Sequence, residues 1–307
     1  MDFVLEEARS VIDTLGRAAE SFSLNNEKFV NVGLVEKGIH DGREVTTIAP
    51  YTLAKYIAAS ALVFIVILFV QFPISYLFSS TFRKLKFNEK VSWASYVISL
   101  CHAPTSALFA CLCVYEGYLQ GVSEKLFTFT TDLQVMVLSW TLGYMIVDQI
   151  VILLFASAFK DFTALVIHHI VILGSYSLGL LNSPEAYGGM IMVSYQVQEL
   201  ANPFLTMRWF FEKVGMKNSL PYVLDGVMLV LVWGIVRIGF GSFVCYFLVT
   251  EFPDEAWRTP PLVVSLSLGV IFQVLQFYWG YKIFKGLLRA IQAMSDSGKQ
   301  NQKSKED

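Results

Sequence analysis

Charged residues are scarce in this sequence. Asp, Glu, Lys and Arg together make up 16% of the 307 residues, whereas hydrophobic residues make up 55%. A soluble domain usually carries about 25% charged residues. The low charged fraction therefore argues against a water-soluble fold and favours a protein that lies within a membrane.

Cysteine pairs and familiar catalytic motifs are also absent. The four cysteines fall inside apolar runs, and Cys111-Leu-Cys113 lacks the two-residue spacer of a zinc or redox pair. The sequence has no glycine-rich nucleotide loop, no Gly-x-Ser-x-Gly elbow and no His-Glu-x-x-His motif. Zinc-compatible residue types occur without a metal-ligand spacing, so we expect no metal site. We also expect no bound cofactor and no nucleic-acid partner.

Long apolar runs are what the sequence has in abundance. A helix needs about 20 apolar residues to cross about 30 Å of hydrocarbon, and the strands of a membrane barrel would instead show a period of two. The sequence therefore predicts an all-α, polytopic membrane protein with about seven transmembrane helices. The runs lie at 51–72, 91–114, 133–158, 162–181, 186–211, 221–249 and 261–285.

The residues before these runs have a different character. Residues 2–22 place apolar side chains on one helical face, which predicts an amphipathic helix too charged to cross the bilayer. Residues 36–50 contain two glycines and end in Pro50, a composition typical of turn and loop. We expect residues 1–50 to form an N-terminal region, followed by a first transmembrane helix and loop over 51–81.

The positions of lysine and arginine predict the orientation of the chain. Basic residues collect in the cytosolic loops of membrane proteins. In this sequence they collect in alternate loops, at 83–90, 160 and 208–217, and in the tail from 282 onwards, whereas the opposite loops carry only Lys125 and Arg258. We therefore expect a lumenal N-terminus and a cytosolic basic tail over 290–307.

The tail ends in Lys303-Ser-Lys305-Glu-Asp307. Lysines three and five places from a cytosolic C-terminus resemble the dilysine retrieval signal of endoplasmic reticulum membrane proteins. The alternative is a basic, solvated tail that matches by chance. If the signal is read, coat proteins recognise Lys303 and Lys305, and the protein resides in the endoplasmic reticulum membrane.

The middle of six runs carries a polar residue. A helix rises about 1.5 Å per residue, so these residues fall within about one turn of a common plane. A charged group at this depth costs about 2.5–3.5 kcal/mol on insertion scales, and we therefore expect the group to point inward and to pair. The residues are His102, Asp148, His168, His169, Glu199, Arg237 and Gln273.

This polar layer has two interpretations. A hydrogen-bond network that only holds the bundle together needs no more than Asp148 or Glu199 paired with Arg237. The other interpretation is a polar-centred cavity for a lipid head group or a reacting carbonyl, in which a neutral imidazole is a good general base. His168 and His169 are about 100° apart on a helix, so one can react while the other orients or packs.

The fifth run has a further feature. Gln196, Glu199 and Pro203 share a helical face at positions i, i+3 and i+7, and Pro203 removes one backbone hydrogen bond. A kink beside a buried acid is one way to open a cavity. A proline that a membrane helix simply tolerates is the alternative.

Several of these motifs resemble those of the TLC-domain family, the membrane superfamily that includes ceramide synthases and translocating-chain-associating proteins. The resemblance extends over 82–289 and is strongest to the small TLC-domain-containing proteins related to the protein of a neuronal ceroid lipofuscinosis. The motifs are Lys90-Val-Ser-Trp93, Ser99-Leu-Cys-His102, Gly143-Tyr144 with Asp148, His168-His169, Glu199-Leu-Ala-Asn-Pro-Phe204 and Arg208-Trp-Phe-Phe211.

The resemblance implies six core helices around a lipid-sized cavity, with the 51–72 run either the first of them or an addition. In ceramide synthases the paired histidines are implicated in moving a fatty acyl group from acyl-CoA to a sphingoid amine. A His-Asp and a further Asp follow in the next helix. Here Tyr195 and Gln196 stand where the His-Asp would fall, and Glu199 falls near the second Asp.

Two functions follow from the resemblance. The first is binding or sensing of a long-chain membrane lipid in lipid homeostasis, or a trafficking role; the missing His-Asp favours it. The second is ceramide-synthase-like acyl transfer with acyl-CoA as co-substrate and His168 and His169 as catalytic residues; the retained pair favours it. The sequence leaves the lipid and the oligomeric state open. The residues expected to bind or orient the lipid are His102, Asp148, Gln196, Glu199 and Arg237.

Overall fold

The computed structural model describes residues 34–40, 43–119, 131–181, 188–217, 219–251 and 260–306. The amphipathic helix expected over 2–22 lies outside these residues. Helices dominate the described chain. In order they are α1 (Pro50–Phe78), α2 (Ser80–Lys84), α3 (Phe87–Leu119), α4 (Asp132–Leu154), α5 (Phe162–Leu180), α6 (Gly189–Gln196), α7 (Asn202–Lys213), α8 (Leu220–Val232), α9 (Gly241–Thr250) and α10 (Pro260–Glu306).

Two helical passages change their winding midway. Val197–Ala201 is a 3₁₀-helix that joins α6 to α7, and Trp233–Phe240 is a π-helix that joins α8 to α9. Pro203 lies in the first turn of α7, where its missing N–H removes a bond to the preceding turn. The sequence left open whether Pro203 kinks the run or is simply tolerated, and it gave no indication of the π-helix.

Six helical passages in the described ranges are long and apolar enough to cross a membrane. The fifth predicted run, 186–211, is instead divided into α6, the 3₁₀-helix and α7. This divided path still runs antiparallel along α3, because Gln196 is hydrogen-bonded to Ser106, and Lys213 to Glu89. The stretch from Glu89 to Ser106 measures about 26 Å at 1.5 Å per residue. The path therefore extends across most of the bilayer core.

The passages from α3 onwards close into a six-membered ring. In order round the ring, α3 packs on α4, α4 on α5, α5 on α10, α10 on the α8–α9 passage, that passage on the α6–α7 path, and the path on α3. Helix α1 lies outside the ring, against α4 and α3. The 51–72 run is therefore an addition to a six-helix core.

Neighbouring passages in the ring run in opposite directions. As α3 advances from Ser95 to Ser106, its hydrogen-bonded partners on α4 go back from Asp148 to Thr141. The same reversal relates α5 to α10 and the α6–α7 path to the α8–α9 passage. With α1 included, seven passages alternate in direction.

Helix α1 is held close to α4 by a glycine contact. The Ser60 hydroxyl donates to the Trp140 carbonyl at 2.8 Å. A Cβ atom on Gly143 would lie 2.5 Å from the Ser60 Cβ and 2.6 Å from the Ala61 nitrogen, closer than real Cβ atoms approach. Small residues allow such close backbone approach between membrane helices, so Gly143 sets the spacing of these two helices.

Residues 36–50 are not the turn and loop that the sequence predicted. Strands β1 (Val35–His40) and β2 (Arg43–Ile48) form an antiparallel hairpin. The signals for it are the Asp41-Gly42 pair, which two-residue hairpins favour, and the β-branched run from Val45 to Ile48. The Val35 N–H donates to the Asp132 carboxylate at 2.8 Å, so the hairpin packs over the start of α4.

The outside of the bundle is apolar, and its interior combines a large hydrophobic core with buried polar side chains. Buried side chains include many serines, glutamines and ionisable residues. Lipid cannot satisfy such groups, so they are buried between the helices. Large apolar residues are exposed on the outside, among them Leu62, Val66, Phe69, Ile150, Leu153, Leu154, Ile167, Ile170, Leu231, Ile235, Val274 and Phe277.

Candidate functional site

Ionisable side chains from five of the six passages of the ring meet at mid-depth. Helices α3, α4 and α5, the 3₁₀-helix and the π-helix each supply at least one, and α10 adds two glutamines. Each ionisable residue exposes 8% of its surface or less, so the group is shielded from both lipid and water. We define the central polar cluster as His102, Asp148, His168, His169, Glu199 and Arg237.

Arg237 ties three passages together. Its Nε donates to the Gln198 carbonyl at 3.1 Å, its Nη1 to Gln276 Oε1 at 2.5 Å, and its Nη2 to Asn202 Oδ1 at 2.7 Å. The guanidinium carbon lies 4.5 Å from the centre of the Trp233 ring, a distance at which cation–π attraction operates. Three neutral acceptors therefore hold the Arg237 guanidinium in place, in addition to any carboxylate.

Glu199 is the carboxylate that pairs with Arg237. Its Oε1 lies 3.6 Å from Arg237 Nη2, and its Oε2 accepts from the Asn202 amide at 2.6 Å. The same Oε2 lies 3.6 Å from His102 Nδ1. The expectation that at least one acid pairs with Arg237 is confirmed, and Asn202 bridges the two partners.

Asp148 forms a second, separate group. Its Oδ1 accepts from the Ser95 hydroxyl at 2.6 Å, and its Oδ2 from the Tyr144 hydroxyl at 3.3 Å. His169 Nε2 lies 3.6 Å from the same Oδ2. Among the described residues no lysine or arginine forms an ion pair with Asp148, so its charge is balanced only by hydroxyls and one imidazole.

A stacked ring pair connects the two groups. The His102 and Tyr144 rings lie 4.1 Å apart with an interplanar angle of 10°. His102 Nε2 is hydrogen-bonded to Thr141 Oγ1 at 3.1 Å, which fixes the ring's orientation. His102 thus faces Glu199 through one nitrogen, while its ring covers the tyrosine that donates to Asp148.

The adjacent histidines point to different neighbours. His169 faces Asp148, whereas His168 stacks on Phe272 at 5.4 Å and meets the edge of Trp279 at 5.3 Å. The Nδ1 atoms of both are buried and have no hydrogen-bond partner among the described residues. Leaving a buried polar atom unpaired costs roughly 1–3 kcal/mol. These nitrogens are therefore the positions at which a ligand would add hydrogen bonds.

Gln196 lies one turn before Glu199 and belongs to a different group. Its Oε1 accepts from Ser106 at 3.0 Å, and its Nε2 donates to the Tyr176 hydroxyl at 2.6 Å. Gln273 donates to the Arg237 carbonyl at 2.9 Å. The structure therefore brings the six ionisable candidates together and places Gln196 at the edge of the cluster.

A small cavity lies beside this edge. Its volume is about 40 Å³, enough for a water molecule and smaller than the lipid-sized cavity that the resemblance implies. The centre is filled because Phe272 packs between the rings of His168 and Tyr195. The lining residues are Ser175, Tyr176, Gly188, Ile191, Met192, Tyr195, Leu248, Leu262, Ser265, Leu266 and Gly269.

The donor set offers no metal site within the described chain. No three His, Cys, Asp or Glu side chains there are arranged to hold a metal ion. The acids are engaged by serine, tyrosine, asparagine and arginine instead. The chemistry available at the cluster is thus hydrogen bonding, ion pairing and proton transfer.

Sequence reasoning missed several partners in the cluster. Ser95, Tyr144, Asn202 and Gln276 hold the charged groups directly, but none was predicted as a site residue. The spacing of polar residues on α3 is a usable signal, because steps of three and four place them on one helical face. The residues in that stripe are Ser92, Ser95, Ser99, His102 and Ser106.

Comparison with known proteins points to one family. The TLC-domain profile matches residues 91–285. Human TLC domain-containing protein 4 is 28% identical over 229 residues, covering 73% of this chain and 84% of the relative. The Xenopus laevis TLC domain-containing protein 4-A is 27% identical, covering 71% and 84%. Human TLC domain-containing protein 1 is 21% identical, covering 58% and 70%.

Proposed function

Because the chain belongs to the TLC-domain family, we propose that it binds the polar head of a long-chain membrane lipid at the central polar cluster and acts in lipid homeostasis. The observation that carries the proposal is the pair of buried, unpartnered imidazole nitrogens on His168 and His169, the second of which belongs to a ring that lies beside Asp148. Groups of this kind inside a membrane mark binding or transfer sites.

The charge balance of the cluster supports this proposal. With neutral histidines, Asp148 and Glu199 contribute two negative charges and Arg237 one positive charge. Glu199 and Arg237 offset each other at 3.6 Å, which leaves Asp148 with two hydroxyl donors and the neutral imidazole of His169. A network that serves only to hold helices together needs one such pair. The additional carboxylate suits a head group that brings a cation or several hydrogen-bond donors, such as an amino alcohol.

Lipid entry requires the ring to open, since the adjoining cavity measures about 40 Å³. The two passages with altered winding are the elements that would move. The 3₁₀-helix carries Glu199 and the π-helix carries Arg237, and such windings often occur at functional hinges. A shift of either toward regular α-winding would displace the cluster's own side chains and make room for a head group.

Acyl transfer is the second candidate, and the pairing of His169 with Asp148 favours it. A carboxylate near one imidazole nitrogen orients the ring and leaves the other as a base, as in hydrolase triads. In this reaction His169 Nδ1 would accept a proton from the amine as the amine nitrogen attacks the thioester carbon of acyl-CoA. The new C–N bond would form, the C–S bond would break, and the thiolate of CoA would take the proton.

Lipids that co-purify with the full chain test the binding proposal. Protein isolated in mild detergent is extracted, and the bound lipids are quantified by mass spectrometry. We expect one long-chain lipid class to be enriched with wild type and depleted with Asp148→Asn and His169→Ala. Ile172→Ala, a buried truncation on the same helix, should retain it. Equal enrichment in all variants would overturn the proposal.

Activity separates the two candidates. Purified wild type is incubated with acyl-CoA and a sphingoid base, and the N-acyl product is measured. Product formation that His169→Ala abolishes and Ile172→Ala preserves would establish acyl transfer. Lipid enrichment without product in any preparation would identify a binding or sensing protein instead.

We place this function in the endoplasmic reticulum, with the N-terminus in the lumen and the C-terminus in the cytosol. The support is the alternation of basic loops and the Lys303 and Lys305 pair. Changing Lys303→Ser with Lys305→Ser should move the protein out of the endoplasmic reticulum in microscopy. Lys299→Ser, a nearby charge loss outside the pair, should leave the distribution unchanged. If the double variant stays in the endoplasmic reticulum, the two lysines do not act as a retrieval signal.

A further inference from the structure

We propose a second lipid site, separate from the central polar cluster, that binds an anionic phospholipid of the surrounding bilayer in a groove between the end of α1 and the start of α3. The groove has a volume of about 440 Å³, within the usual range for ligand sites. Its lining residues are Phe72, Pro73, Tyr76, Leu77, Phe82 and Lys90.

The groove has the shape and composition that an acyl chain with a phosphate requires. Phe82 is buried and forms the floor, where its ring meets those of Phe72 and Trp93 edge-on. Leu77 is 69% exposed and forms an open wall. An acyl chain can therefore lie along the groove while remaining continuous with the bilayer.

Lys90 supplies the charge complementary to a phosphate. Its Nζ lies 5.6 Å from the centre of the Phe82 ring. The neighbouring Glu89 does not neutralise it, because Glu89 is engaged by Lys213 Nζ and the Lys86 N–H. No carboxylate in the described ranges forms an ion pair with Lys90.

A second cation stands at the rim. Arg83 Nη1 donates to the Tyr76 carbonyl at 2.9 Å and to the Leu77 carbonyl at 3.2 Å. Arg83 therefore caps the end of α1 and holds a positive charge beside two lining residues. Lys84 follows it in the last turn of α2. Basic pockets at a membrane surface between helices suit the head groups of anionic lipids.

Depth separates this groove from the proposed lipid site in the ring. Lys90 and His102 lie on the same helix, 12 positions apart, which corresponds to about 18 Å. The groove also lies on the outer side of the ring, between α1 and the start of α3. The inference therefore does not depend on the proposed function, and the two can fail independently.

The test is selective retention of phosphatidylserine. The full chain is reconstituted in nanodiscs of phosphatidylcholine with a minor fraction of phosphatidylserine, released, and examined by native mass spectrometry for bound lipid. Lys90→Gln should weaken phosphatidylserine retention about fivefold, the effect of one juxtamembrane charge. Lys90→Arg, which keeps the charge, should stay within about twofold of wild type.

Two further variants separate a built groove from general surface attraction. Leu77→Trp fills the groove without changing charge, and it should reduce retention as strongly as Lys90→Gln does. Lys160→Gln removes an exposed basic residue elsewhere and should have little effect. A loss with Lys160→Gln equal to that with Lys90→Gln, or full retention in Leu77→Trp, would overturn the proposal.

Asp148→Asn distinguishes this site from the central one. This substitution should deplete the lipid bound at the central polar cluster, and it should leave phosphatidylserine retention in the groove unchanged. Parallel loss of both lipids in Asp148→Asn would show that the two sites are not independent and would contradict the inference. Equal retention of phosphatidylcholine and phosphatidylserine by wild type would contradict it as well.

Discussion

At the scale of the single residue, Arg237 is the buried cation that most needs partners for its charge. It is 2% exposed, and its charge is held by Glu199 together with three neutral acceptors. A buried ion pair adds little net stability, but the loss of one partner leaves the other as an uncompensated charge. The pair is therefore best probed by removing its partners separately and then together.

Arg237→Leu should destabilise the protein by about 3–5 kcal/mol, because it strands the Glu199 carboxylate inside the membrane. We expect a large fall in the melting temperature in detergent. Adding Glu199→Gln should recover part of the loss, since the second change removes the stranded charge. Arg289→Leu, an exposed arginine on α10, should have little effect. Absence of any recovery in the double variant would show that the two residues are not coupled.

The histidines provide the contrast at this scale. If the histidines bind the lipid, His168→Ala and His169→Ala should abolish lipid enrichment while changing the melting temperature only slightly. If they unfold the protein as badly as Arg237→Leu does, the cluster only stabilises the bundle. The sequence could not predict which neighbours bind each charged group. The depth of a residue along a helix does not specify the direction in which its side chain points around the helix axis.

At the scale of the element, prediction succeeded where one signal dominates. Apolar length located the helical passages, since no competing structure satisfies backbone groups in lipid. The hairpin was missed because its glycines were interpreted as loop punctuation, although Asp41-Gly42 flanked by β-branched residues favours a hairpin. The π-helix at Trp233–Phe240 carries Arg237, whose partners Gln198, Asn202 and Gln276 lie far away in the sequence.

Gly143→Ala should push α1 away from α4. The added Cβ would lie 2.5 Å from the Ser60 Cβ and close to α1 backbone, so the contact cannot relax by moving a flexible chain end. We expect a lower melting temperature in detergent. Gly286→Ala has nothing within 4 Å of its Cβ, and alanine favours a helix over glycine by up to about 1 kcal/mol. The two substitutions should therefore act in opposite directions, and equal stability would contradict the close crossing.

The whole molecule is organised by seven alternating passages around and beside one ring. The positions of the apolar runs could be predicted from the sequence, although six of the seven correspond to helices long enough to span and one is divided. The ring closure could not be predicted, because it depends on which helix faces pack against each other. The stretch of serines on α3 indicates one inward face, but no comparable stripe of Ser and His marks the α8–α9 passage. In that passage, Arg237 was the residue from which the sequence indicated an inward face.

We expect the seven passages of the described ranges to put the two termini on opposite sides of the membrane. In sealed microsomes, a tag at residue 1 should be protected from protease and a tag at residue 307 should be cleaved. Detergent should make both tags accessible, which controls for tags that are intrinsically resistant. The reverse pattern would contradict the orientation, and cleavage of both tags in sealed vesicles would contradict the odd count.

The passages on either side of α4 differ in length. Helix α1 has 29 residues and α5 has 19, which correspond to about 43 Å and about 28 Å. A hydrocarbon core of about 30 Å matches α5 when it stands upright, whereas α1 must tilt or extend into the head groups. Helix α1 can therefore match a thicker bilayer by becoming more upright. Helix α5 has no additional length, so a thicker bilayer must become thinner around it.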